Sequence, residues 1–250
     1  MATGARDHFK AMQLYGLYED EPIPLACDEQ GRLILVIQGT PIWDPSGTVL
    51  IHDTFVDGLT KCLTEGAGTG WAVALDTAEA VEAAQSCRIT GGSTLSLYAR
   101  ITYWTTPRAY NKIGVECALR VGDNADKFYI HLLGYTGDYF FNTRIGWYDD
   151  DDAWKLMGSD QATLHTILGN THYFSEANNW RRFKLVIDLE NFRYHSFKHP
   201  GGTVDLTAYG IYKSANATAP YIKAQFTVVS DSGSNGWCLA DDIRITQDET

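Results

Sequence analysis

The chain has 250 residues, 44% of them apolar, which suffices for one large core or a core with a small appendage. Its formal net charge of −11 repels nucleic-acid backbones and anionic lipid, so neither is expected as a partner. No apolar run approaches the ~20 residues that span a bilayer, Met1 to Lys10 has no apolar signal-peptide core, and the five cysteines (Cys27, Cys62, Cys87, Cys117, Cys238) form no C-x-x-C pair, as suits folding in a reducing cytoplasm.

Residues 1–47 read as an arm. Leu14 to Leu25 is extended, because Pro22 and Pro24 disfavour a central strand. Asp28-Glu-Gln-Gly31 is a turn, Leu33–Ile37 a short strand, and Gly39, Pro41, Pro45 and Gly47 a linker. The apolar groups of this arm, Leu14, Tyr15, Leu17, Tyr18, Ile23 and Leu25 foremost, are too few to bury one another, so they are expected to form an assembly surface.

From residue 48 the dominant signal has period two. Ile113, Val115, Cys117, Leu119 and Val121 alternate with Gly114, Glu116, Ala118 and Arg120, the pattern of a strand with one buried side. Strands are predicted over Val49–Phe55, Trp71–Leu75, Thr94–Trp104, Ile113–Val121, Lys127–Gly134, Tyr139–Trp147, Trp180–Asp188, Phe192–Phe197, Val204–Tyr212, Tyr221–Val229 and Trp237–Thr246, with Gly- and Asn-rich turns between them. Thr77–Ser86, rich in Ala and Glu, is the one helix candidate. The class is all-β, and 48–250 is read as a β-sandwich.

Four segments carry a family resemblance: Ile51-His-Asp-Thr-Phe55 with Trp71; Gly92-Ser-Thr-Leu-Ser-Leu97; Trp180-Arg-Arg-Phe-Lys-Leu-Val-Ile-Asp188 with Asn191–His195; and Ala240-Asp-Asp-Ile-Arg-Ile245. Together they resemble the concanavalin A-like (laminin G-like) jelly-roll sandwich, whose members include lectins, glycan-binding modules, hydrolases and virion proteins. The arm, Tyr15-Gly-Leu-Tyr18, Pro22-Ile-Pro-Leu25 and Asp28-Glu-Gln-Gly-Arg-Leu33, is similar to the openings of some tailed-phage structural proteins. In those proteins a short hairpin of this kind precedes a receptor-facing or capsid-facing domain, and that is what the likeness implies here.

Asp149–Asp152 lies between Trp147 and Trp154. Trp147, Tyr148 and Trp154 could stack on a sugar whose hydroxyls bond to Asp150 and Asp152; the same oxygens could hold Ca²⁺; or the tryptophans could anchor a solvated hairpin tip. Asp53, Asp241 and Asp242 fall on the first and last strands. Strict alternation turns one of Asp241 and Asp242 inward, where a carboxylate needs a structural Ca²⁺, which the resemblance also implies, or else a capped N–H or an ion pair with Arg244. Arg182 and Lys184 share a face and are expected to pair with acidic neighbours.

Catalytic patterns are missing. The hydrolytic relatives carry an E-x-D-x-x-E-like strand, whereas Glu116 stands alone; the lyase relatives use Gln-x-His, and Tyr129-Ile-His131 lacks the Gln. His131 is read as a packed or exposed structural residue. The expectation is a non-enzymatic virion structural protein, a capsid decoration, head fibre or tail component. It would form a homo-oligomer such as a trimer, attach to a capsid or tail protein, and present a lectin-like sandwich to surface glycans. The alternative is a carbohydrate-binding module, or a sandwich glycoside hydrolase or polysaccharide lyase.

Overall fold

The computed structural model describes residues 15–18, 21–24, 26–27, 33–34, 47–81, 84–93, 97–107, 111–122, 125–169, 174, 179–230 and 235–249. The chain divides into two compact units, Met1–Gln38 and Gly39–Thr250. The first contains β1 (Tyr15–Tyr18) paired antiparallel with β2 (Glu21–Pro24), and β3 (Ala26–Cys27) paired with β4 (Leu33–Ile34). Leu14 and Leu25 of the expected assembly surface lie outside the described residues.

The second unit runs β5 (Thr48–Asp53), β6 (Leu63–Gly66), β7 (Ala72–Asp76), β8 (Ser86–Thr90), β9 (Tyr98–Thr105), β10 (Lys112–Val121), β11 (Ala125–Tyr135), β12 (Tyr139–Tyr148), β13 (Ala153–Met157), β14 (Leu164–Gly169), β15 (Arg181–Asp188), β16 (Arg193–His199), β17 (Gly202–Asp205), β18 (Tyr212–Ala215), β19 (Tyr221–Ser230) and β20 (Trp237–Gln247). Two sheets of eight strands form a sandwich. One is ordered β17-β16-β15-β10-β20-β8-β7 with β5 also on β20; the other is β14-β13-β12-β11-β19-β9-β6 with β18 also on β12. The inward phase of each strand supplies the core: Ile113, Val115, Cys117 and Leu119 face Phe128, Ile130, Leu132, Phe226 and Val228, all fully buried.

The expected helix over Thr77–Ser86 is not formed by its described residues. Its backbone groups find tertiary or local partners instead of an i to i+4 ladder. Asp76 Oδ1 accepts the Ala78 N–H at 2.9 Å, Asp241 Oδ2 accepts the Val81 N–H at 2.7 Å, and the Ser86 hydroxyl donates to the Glu79 carbonyl at 2.6 Å. Ser86 then opens β8. The strand expected over Val204–Tyr212 is cut after Asp205, whose Oδ1 accepts the Thr207 N–H at 2.8 Å. The chain resumes as β18 in the other sheet. β13 and β14, unexpected from the sequence, complete the hairpin that follows β12.

Candidate functional site: the outer face of the second sheet

Side chains alternate across a strand, so the residues between the core positions of β9, β11, β12 and β19 share the outer face of their sheet. Register sets them in rows. Arg100 lies opposite Thr227, Thr227 opposite Tyr129, and Tyr129 opposite Gly146; the next row is Thr102, Gln225, His131 and Arg144. Tyr98, Arg100, Lys127, Tyr129, His131, Arg144, Thr227 and Val229 line a groove of about 340 Å³.

The aromatic and basic side chains of the groove are held by one another and by their neighbours. The Arg144 guanidinium lies 4.8 Å from the Tyr129 ring centre, and that of Arg100 lies 5.0 Å from Tyr98. The Tyr129 ring rests on Gly146, where a Cβ would collide with it, and packs edge-on against Tyr148 at 5.7 Å. Burial pushes the Tyr129 hydroxyl well above the usual phenol range, so it stays protonated and able to donate. Asn142 gives its amide N–H to Gln161 Oε1 at 2.7 Å, which leaves its Oδ1 to accept His131 Nε2–H at 2.5 Å. Burial lowers the His131 pKa to about 4 against the opposing pull of the Asn142 bond, and Arg144 and Arg100 lower it further. The imidazole is therefore neutral at pH 7.

About 20 Å along β11 from Tyr129 to Tyr135, at ~3.4 Å per residue, the same face becomes aromatic. Trp104 meets Tyr221 at 5.0 Å, Tyr221 meets Tyr135 at 5.1 Å, Tyr135 meets Phe140 at 5.2 Å, and Phe140 meets Tyr212 at 6.2 Å. This ladder crosses β9, β19, β11, β12 and β18. Trp104 is 47% exposed, with Lys223 Nζ 3.7 Å from its ring centre.

The residues singled out from sequence lie elsewhere. Trp147 and Trp154 face each other across β12 and β13 and point into the core: Trp154 is fully buried and Trp147 is 4% exposed. Trp154 packs on Phe183 at 4.6 Å and Phe197 at 4.7 Å. Neither ring offers a face to a sugar, so the expected stacking pair is corrected to an anchor. Asp149–Asp152 is the hairpin tip. Its turn is closed by the Asp152 N–H on the Asp149 carbonyl at 2.9 Å, and Asp152 Oδ1 accepts Trp147 Nε1–H at 3.3 Å. Asp150 is exposed there. Tyr148 points the other way, beneath Lys155 and Lys127 at the margin of the groove.

Asp53, Asp241 and Asp242 are all fully buried, and protein donors hold each one. Asp53 accepts the Phe55 N–H and the Tyr103 hydroxyl, both at 2.9 Å. Asp241 accepts the N–H groups of Val81 and Asp242, both at 2.7 Å. Asp242 is bound by Arg182, by Arg244 at 2.9 Å and by His52 at 2.7 Å. Among the described residues no group of three or more His, Cys, Asp or Glu is arranged to hold a metal. Strict alternation also fails. β20 bulges against Glu116–Ala118, and Asp242 takes a φ of +46°. Asp241 lies opposite outward-facing Ala118, while Asp242 reaches Arg182 and Glu116's neighbourhood on that same outer side.

Arg182 spans Glu116, at 3.2 Å, and Asp242, while Lys184 pairs with Glu249 at 2.8 Å. Burial raises the Glu116 pKa to about 7 despite the pull of Arg182, Lys184 and Arg244. Burial likewise pushes Asp242 up, but Arg182, Arg244 and His52 together hold it below the usual carboxylate range.

No family model and no curated protein matches the chain. Solved structures do. A Bacillus subtilis protein of unknown function with a galectin-like fold superimposes with a TM-score of 0.52 at 11% identity, over 81% of this chain and 97% of that one. The lectin UEA-II, complexed with galactose, gives 0.50 at 9% identity over 80% and 99%. The potassium-bound carbohydrate recognition domain of Emp46p gives 0.50 at 9% over 80% and 94%. The fold is a lectin-like jelly-roll sandwich. Of the groove, only Tyr129 and His131 were picked out from sequence. The polar phases of β9, β11 and β12 were legible as outward-facing, but not that these strands lie side by side.

Proposed function

We propose that this protein binds a carbohydrate chain, without turning it over, in the groove on the outer face of the sheet. The observation that carries the reading is the interleaving of Tyr98 and Tyr129 with Arg100, Lys127, His131 and Arg144 on one rigid sheet. Aromatic rings stack on the C–H faces of a pyranose, and fixed donors and acceptors take its hydroxyls. The solved lectin and carbohydrate recognition domain of the same fold support it, though fold alone assigns no function.

Binding without turnover rests on two features. No carboxylate lines the groove among its described residues, whereas glycoside hydrolysis generally uses a pair. A histidine with a pKa of about 4 is neutral at pH 7 but a weak base. The setting we propose is that of a virion component, on the strength of the arm's sequence: the arm anchors a homo-oligomer to a particle and the sandwich faces outward.

Affinity electrophoresis of the full chain through gels holding different polysaccharides tests the reading. At least one polysaccharide should retard the protein, and Tyr129→Ala should abolish the retardation while keeping the far-ultraviolet circular dichroism of the parent. Migration unaltered in every gel would overturn it. Release of shortened or unsaturated oligosaccharides, lost in His131→Ala, would overturn the non-catalytic part.

A further inference from the structure

We infer that the groove selects acidic glycans, chains bearing carboxylate or sulfate groups; this rests on the carbohydrate reading and names its ligand class. The chain carries a net charge of −11, yet the described lining of the groove holds three basic side chains, Arg100, Lys127 and Arg144, and no carboxylate. Two of these are offset from the margins: Glu65 accepts Arg100 Nε–H at 2.7 Å, and Asp126 accepts from Lys127 at 2.6 Å.

Arg144 differs. Among the described residues it makes no ion pair with a carboxylate, and its Nε is buried with no hydrogen-bond acceptor. A buried donor left unmade costs free energy, and a guanidinium edge is matched in shape by a carboxylate or sulfate that accepts two parallel N–H bonds. The side chain is also already oriented. Tyr129 lies under its guanidinium, and Arg144's own backbone N–H donates to the buried Tyr194 hydroxyl at 3.1 Å. His131, on the strand position opposite Arg144, is neutral and so leaves the local positive charge to the arginines. An anionic sugar ring laid in the groove beside Tyr129 and Tyr98 would bring its acid group to Arg144, while the molecule's overall negative charge keeps the attraction short-ranged.

Titration calorimetry of the full chain tests this with four probes of equal length: a polyuronate oligosaccharide, a sulfated oligosaccharide, a neutral glucan and single-stranded DNA. At least one acidic glycan should bind about tenfold or more tighter than the glucan, and the two acidic arms tell carboxylate from sulfate. Arg144→Gln should lose about tenfold on that glycan, Arg144→Lys should recover part of the loss, and Arg193→Gln, on the other sheet, should lose none. Thermal melts confirm that each variant is folded. Equal affinity for the neutral glucan, or an Arg144→Gln variant as tight as the parent, overturns the acidic selectivity and leaves the carbohydrate reading standing. DNA bound as tightly as the acidic glycan overturns it in favour of a general polyanion surface. No binding to any glycan overturns both.

Discussion

The Tyr103 hydroxyl donates to Asp53 Oδ2 at 2.9 Å, a buried bond that joins β9 of one sheet to β5 of the other. Both side chains are fully buried, and the second oxygen of Asp53 caps the N–H of Phe55, which sits at a φ of +57°. A single carboxylate thus ties the two sheets and fixes the turn that leaves the first strand. Tyr103→Phe keeps the ring and removes the donor. It should destabilise the fold by about 1–3 kcal/mol in urea unfolding, without altering glycan retardation. An unchanged unfolding midpoint would show that the bond contributes nothing net.

Trp154 and Trp104 should respond in opposite ways. Trp154 is fully enclosed among Phe174, Phe183 and Phe197. Trp154→Ala should cost about 3–5 kcal/mol of stability through lost burial and the cavity left behind. Trp104→Ala, at a half-exposed position on the aromatic ladder, should change stability by about 0.5 kcal/mol or less and weaken the binding of long chains more than short ones. Chemical denaturation and a chain-length series of oligosaccharides separate the two.

Glu116 predicts a pH dependence. Its pKa is raised from 4.5 to about 7 in the fold, so between those values the native state holds a proton that the unfolded chain has released. The stability tied to that proton is complete below pH 4.5 and is lost as pH rises through 7. Glu116→Gln should flatten this part of the stability profile. Unfolding curves at pH 5 and pH 7.5 for both proteins read it directly. A parent slope equal to the variant's would show that Arg182 keeps Glu116 ionised throughout.

Gly146 should be indispensable to the groove. A methyl group there would displace the Tyr129 ring, so Gly146→Ala should reduce glycan affinity through the position of Tyr129. Paired with Tyr129→Ala in a double-mutant cycle, the two losses should be strongly non-additive. Additive losses would place Gly146 outside the site.

Deletion of residues 1–40 should leave a folded sandwich, because the unit Gly39–Thr250 has its own core, and should abolish assembly or attachment to a particle. Light scattering of the intact and truncated proteins decides this. Equal masses, with equal binding to candidate particles, would remove the support for a virion role.

The sandwich was legible because period-two burial is written into each strand locally. Trp147 shows where the reading stopped short. It shares the inward phase of Phe141, Thr143 and Ile145, so its burial follows from the alternation that located its strand; the acidic run beside it suggested a surface instead. At Asp241 and Asp242 the N–H capping and the ion pair with Arg244 were legible, but strict alternation failed for a different reason. A bulge shifts the phase by one residue, and no local pattern marks it. The groove was hidden because its rows draw on β9, β19, β11 and β12, whose order in space is not their order in sequence. The arginine of β9 becomes a neighbour of His131 only through that order, whereas that of β12 faces it across the β11–β12 hairpin.

On the opposite sheet, Arg182 and Lys184 are held by Glu116, Asp242 and Glu249 in a buried lattice. On the proposed reading the sandwich is one-sided: a copy that lands on its groove face would bind, and one that lands on its back would not. Tethering several copies through a common base, with every groove turned outward, would remove that orientational search. It would also let modest single-site contacts add up to lasting adhesion on a repetitive sugar coat.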